Sequence, residues 1–158
     1  MTTPHPIPPP SPMSTDPPKT IYTYDTLQVG DTYSTTHFIS DDDVRGFAEI
    51  TGDDNPIHLD EAFAKDSRFG HRIVHGVLLM GLISKVLGRD FPGHGSIAVS
   101  LSCRFLRPVP VGSEVRIEIT IIEKYDKLRH VRGRTRVYTQ ENKIAIGGEA
   151  RIIPPSNS

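Results

Sequence analysis

Cysteine occurs once in the 158 residues, at Cys103. That excludes an internal disulfide and a zinc site built on cysteine. Charge of one sign is scarce too: 18 Lys and Arg stand against 19 Asp and Glu. A general basic footprint for nucleic acid is therefore missing, and no nucleic-acid partner is expected. Long apolar runs are absent. The strongest, Ile73–Leu87, has 15 residues and is interrupted by His75 and Lys85, whereas a membrane span needs about twenty. It reads as a helix buried in protein, with no membrane partner. Neither a phosphate-cradling GxxxxGK[ST] run, a dinucleotide glycine fingerprint nor a GxSxG elbow is present. His71, His75 and His94 form no convincing ligand array with carboxylates, so no metal is expected. These absences leave a soluble protein of a reducing compartment, with the cytoplasm as the expected location.

Proline is plentiful but uneven, since more than half of the fourteen lie before Lys19. Residues 1–20 are thus compositionally separate and read as an extended or disordered tail. They carry neither the basic start and apolar stretch of a secretory signal nor the arginines of a mitochondrial presequence. Residues 154–158 read as a second short tail. The remaining 21–153 suffice for one domain with a proper core.

Within that domain Tyr33–Ile39 reads as a strand, and Ser40 as the N-cap of a helix whose first turn holds Asp41, Asp42 and Asp43. Val44, Phe47, Ala48 and Thr51 make its one-sided stripe, and Gly52 stops it. Asn55-Pro56 marks a turn, and Glu61–Lys65 a short helix, before the buried helix 73–87. Then the period becomes two. Ile97 to Phe105, Val115 to Ile121, Val131 to Val137 and Ile144 to Ile152 alternate as half-buried strands. Four successive strands after one apolar helix predict an α+β fold, a curved antiparallel sheet wrapped around a long central helix. The open edge of such a sheet favours pairing with a second copy, a homodimer.

Two places carry candidate chemistry. Asp53, Asn55 and His58 fall within six residues, with Pro56 stiffening the chain between them. A carboxylate and an imidazole so held could share one water, remove its proton and return a proton elsewhere. Equally, Asp53 could cap the next turn, Asn55 form an Asx-turn and His58 be a satisfied core histidine. The second place is His75-Gly76 at the start of the buried helix. Unpaired N–H groups there favour negative charge, and glycine admits a close neighbour. That N–H could polarise a thioester carbonyl, or Gly76 and Gly81 could simply let a sheet pack closely.

The run Asp53-Asp54-Asn55-Pro56-Ile57-His58-Leu59-Asp60 resembles the signature of the MaoC-like (R)-specific enoyl-CoA hydratases. So, in the family's order over about Thr26–Ile153, do Phe63-Ala64, Ile73-Val74-His75-Gly76 and Pro92-Gly93-His94-Gly95-Ser96-Ile97. The resemblance implies a single hot-dog domain, a homodimer and an acyl-CoA or acyl-carrier-protein thioester substrate. It implies reversible syn hydration of a trans-2-enoyl thioester to the (R)-3-hydroxyacyl thioester, with no cofactor. Carried over by position, Asp53 and His58 resemble the catalytic acid/base pair and Asn55 the residue holding turn and water. Gly76, with His75 before it, resembles the backbone donor to the thioester carbonyl, and Ser84 a position beside the site. Competing readings are a 3-hydroxyacyl thioester dehydratase on a carrier protein, a thioesterase, and a non-catalytic acyl-binding subunit. Arg132, Arg134 and Arg136, spaced for one face of a strand, are candidates for the phosphates of CoA.

Overall fold

The computed structural model describes residues 21–156; the proline-rich segment 1–20 lies outside the described residues, as do 157–158. Strand β1 (Thr32–Phe38) leads into α1 (Asp41–Thr51), which begins at the expected cap. The Ser40 hydroxyl accepts from the Asp43 N–H at 3.1 Å, and the Asp43 carboxylate accepts from the Ser40 N–H at 2.9 Å. This reciprocal box contributes on the order of 1 kcal/mol to the helix start. Gly52 ends α1 at φ 76°, its N–H donating to the Ala48 carbonyl, a left-handed conformation that glycine adopts without a Cβ penalty.

Two short helices follow, α2 (Pro56–Leu59) and α3 (Glu61–Lys65), and then α4 (Gly76–Lys85). Helix α4 starts three residues later than its apolar run suggests. The Val74 N–H donates to the Val109 carbonyl at 2.8 Å, and Ile73 bridges Pro110. Both residues are thereby held extended. At its other end α4 continues as a wider π turn, Val86–Asp90. Only one face of α4 is buried: Leu79 and Ile83 are in the core, but Val77 is 57% exposed. Among the described residues no helix is long and apolar enough to cross a membrane.

Strands β2 (Ile97–Phe105), β3 (Glu114–Tyr125), β4 (His130–Tyr138) and β5 (Ile144–Ile153) join β1 in one antiparallel sheet, ordered β1-β3-β4-β5-β2. The expected chain of successive hairpins holds from β3 to β5. Strand β2 instead pairs with β5, because the link after it is committed elsewhere. Val109 accepts from Val74, the Val111 N–H donates to Arg72, and the Gly112 N–H donates to Ile39. That link runs past Val74, Arg72 and Ile39 and leads into β3, which pairs with β1.

Leu79 and Ile83 of α4 meet Ile117, Ile119, Ile121, Val131, Val137, Ile146 and Ile152 from the inner face of the sheet. Each such side chain, fully buried, is worth about 1.5–3 kcal/mol, so this face fixes the helix against the strands. Strand β2 departs from the half-buried pattern: Ile97, Val99 and Phe105 are 50% exposed or more. It is one of the two sheet edges, β1 being the other, and one chain leaves it uncovered. Pro154 and Pro155, just past β5, are buried, the latter near Gly95, and 157–158 lie outside the described residues.

Candidate active site

The turn between α1 and α2 is built from its own side chains. The Asn55 Oδ1 accepts from the Ile57 N–H at 3.2 Å, capping α2, with Pro56 in its first turn. The local reading of Asn55 is thus what the structure shows. Its effect is to aim the next residues: Leu59 packs against the core, and His58 turns inward to 9% exposure.

The His58 Nδ1 lies 2.7 Å from the Ile73 carbonyl. A carbonyl only accepts, so Nδ1 carries a proton, and Nε2 is the nitrogen left to act as a base. His75, 2% exposed, stacks on His58 with ring centroids 3.8 Å apart, and the tilted Phe47 ring lies 4.7 Å from it. The His75 Nε2–H donates to the Asp53 main-chain carbonyl at 3.1 Å and lies 4.0 Å from the Asp53 Oδ2. Asp53 is thereby anchored through its backbone while its carboxylate stays half exposed.

A carboxylate oxygen of Asp53 and one ring nitrogen each of His58 and His75 all lie within 4.8 Å of one another. The trio has the composition of a metal site. Yet His58 Nδ1 and His75 Nε2 are already directed at carbonyls, a pattern suited to orienting a base.

Gly76 is the first residue of α4, where helix geometry leaves the N–H without an internal partner. It lines a cavity of about 370 Å³ together with His58, Ile73, Val77 and Phe105. A Cβ at Gly76 would collide with the Phe105 ring, whereas one at Gly81 would meet nothing within 4 Å. Of these two glycines, only Gly76 is closely approached. Ser84 is not brought to this cluster: it is exposed, two turns further along α4.

Arginines 132, 134 and 136 require correction. They alternate with Val131, Gly133, Thr135 and Val137, which face the core, so they lie on the opposite face of the sheet from α4 and the cavity. Arg132 is paired there with Glu123 and Glu149. Spacing identified a shared face but not which one. Conversely, sequence reasoning missed Arg72. It pairs with Asp41 of α1 at 2.7 Å and Glu61 of α3 at 3.1 Å, and donates to the His58 carbonyl. No local pattern marks it, because its three partners come from three different elements. Phe47 was read only as part of an apolar stripe, and Phe105 only as a strand residue.

The family model described as "MaoC like domain" matches residues 17–143. The chain belongs to that family. It is 40% identical over 132 residues to 3-hydroxybutyryl-CoA dehydratase of Methylorubrum extorquens, covering 84% of this chain and 83% of that protein. To the (R)-specific enoyl-CoA hydratase of Aeromonas caviae it is 41% identical over 113 residues, covering 72% and 84%. Among solved structures, unliganded R-hydratase PhaJ1 of Pseudomonas aeruginosa superposes with TM-score 0.83 at 39% identity, covering 87% of this chain and 88% of that one. The MaoC-like chain therefore has the hot-dog fold, as its helix against an antiparallel sheet implies.

Burial holds the His75 imidazole below its ordinary value of 6.5, the Asp53 carbonyl pulls it back up, and a charge on His58 would push it down again. In the MaoC-like fold burial thus favours the neutral form of His75 over the charged one. Well above 6.5 neither folded nor unfolded chain binds this proton. As pH falls below 6.5 the unfolded chain takes it up first, so stability declines until the native ring also protonates. A melting series from pH 7.5 to 5 is expected to fall, with a shallower slope in His75→Phe. Equal slopes in the two proteins would show that this ring is not responsible.

Proposed function

We propose that this protein is an (R)-specific enoyl-CoA hydratase, adding water reversibly and syn across a trans-2-enoyl thioester to give the (R)-3-hydroxyacyl thioester. The convergence of the Asp53 carboxylate and the inward His58 ring carries the reading, since Gly76 at the start of α4 shares a cavity with His58. The names of its relatives support it.

The thioester carbonyl accepts a hydrogen bond from the Gly76 N–H, so electron density can move from the alkene toward that oxygen. Water held by Asp53 and His58 then attacks the β-carbon. The pair accepts one of its protons and returns a proton to the α-carbon on the same face. Both parts of the water molecule end in the product, so no redox partner enters the balance. The proton transfers divide between the two groups. Dehydration of a 3-hydroxyacyl thioester is the same chemistry reversed.

The pair stands beside a site that one chain leaves open. Strand β2 presents an unpaired edge with Ile97, Val99 and Phe105 uncovered, and such edges are normally covered. A second copy on this edge, giving a homodimer, fits that surface; gel filtration at the single-chain mass would contradict it.

The deciding assay is purified protein with crotonyl-CoA and longer trans-2-enoyl-CoA thioesters, followed by loss of the conjugated chromophore and chiral analysis. (R)-3-hydroxyacyl-CoA is the expected product. Absence of hydration, or the (S) product, would overturn the assignment.

A further inference from the structure

Arg72 stands outside the acid/base pair and is not among the residues lining the catalytic cavity. Its side chain is nevertheless only 15% exposed, and its planar fork is divided among three helices. Nε donates to the Glu61 Oε2 of α3 at 3.1 Å. Nη1 donates to the Asp41 Oδ1 of α1 at 2.7 Å and to the His58 carbonyl of α2 at 3.4 Å. The following residue grips α2 twice more. The Ile73 N–H donates to the Ile57 carbonyl at 3.3 Å, and the Ile73 carbonyl accepts from His58 Nδ1 at 2.7 Å. The Arg72 carbonyl in turn accepts from the Val111 N–H. A few residues on, the chain opens α4 at Gly76. The stretch 72–76 therefore joins the His58 ring to the donor at Gly76, and Arg72 anchors its beginning.

We propose that Arg72 is a positioning residue, which sets the His58 ring at its working distance from the Gly76 N–H. This rests on the hydratase reading and deepens it by naming what holds the two halves of the site in register. A lone exposed ion pair, at about 0–1 kcal/mol, would be too weak for the task. Here the guanidinium is mostly enclosed, and three acceptors from separate elements meet it. It therefore resists any shift of α2 relative to α1 and α3. Lysine does not replace it, because one ammonium nitrogen lacks the fork that reaches Glu61 and Asp41 from separate atoms. Position matters here, since a displacement of about 1 Å caused far from the chemistry costs up to about a hundredfold in rate.

Arg72→Lys and Arg72→Gln are each expected to lower kcat for crotonyl-CoA by about tenfold to a hundredfold, with KM nearly unchanged. Arg45→Gln removes the other ion pair of Asp41, at an exposed side chain, and leaves kcat at the native value. A residue needed only for folding would act whether or not His58 is present. Hence in a His58→Ala background, where no ring remains to be placed, Arg72→Lys is expected to lower kcat no further. Glu61→Gln, which frees one arm at an exposed carboxylate, gives a milder variant that keeps the fold: about a threefold loss of kcat is expected. The His58 Nδ1–H proton reports the same geometry without turnover. Its NMR resonance, far downfield while bonded to Ile73, is expected to move upfield in Arg72→Lys. That readout separates failure of this inference from failure of the hydratase assignment. Native kcat in both Arg72 variants, the same fold-loss with and without His58, or an unmoved Nδ1–H resonance would overturn the proposal.

Discussion

Asp53→Asn and His58→Ala are each expected to lower crotonyl-CoA hydration by about a thousandfold or more, within the range general acid–base groups supply. The two differ in stability. Asn at 53 keeps an oxygen where Oδ1 now accepts from the Asn55 N–H, and the main-chain carbonyl held by His75 is untouched. Its melting temperature should therefore stay close to the native value. Ala at 58 leaves the Ile73 carbonyl without its donor, a loss of about 1–3 kcal/mol for a buried acceptor, and should melt lower. Rate loss in both variants with stability loss in only one separates chemistry from folding. Near-normal turnover in either would remove that residue from the acid/base pair.

Gly76 supplies the second large effect, and Phe105 complicates it. Because a Cβ here would meet the Phe105 ring, Gly76→Ala alone confounds packing with catalysis. In a Phe105→Ala background that ring is gone. There Gly76→Ala keeps the backbone N–H and Gly76→Pro removes it. Proline is tolerated at the first helical position, and His75 at ψ 128° already has the extended backbone that a following proline favours. The expected result is a further fall in kcat of about a hundredfold to a thousandfold from Ala to Pro, the scale of one lost oxyanion donor. Equal kcat in the two double variants would mean that this N–H does not touch the reaction. Restoration of native activity by Phe105→Ala/Gly76→Ala would show that glycine is required there only for packing.

How far the site was legible depends on the range of the interactions that build it. Ser40, Asp43 and Gly52 bracket α1 through contacts within a few residues, so the cap pattern located that helix. Asn55-Pro56 likewise announced a turn, and the turn is there. The start of α4 was misplaced because Ile73 and Val74 are held by Val109 and Pro110, more than thirty positions away. Apolar periodicity does not register such a contact. Strand β2 has the alternation of a half-buried strand, yet its place at the sheet edge follows from the route of the link behind it.

The sequence by itself determined most of the elements and the family motifs, and it offered Asp53 and His58 as a candidate pair, since caps, turn residues and side-chain period act over a few positions. Tertiary structure alone decided three other matters: that His75 and Arg72 brace the site, that Phe105 lies on Gly76, and that the β4 arginines face away from the cavity. Each depends on which surfaces of distant segments come into contact. A period reports that residues share a face, but only packing selects the side on which that face lies.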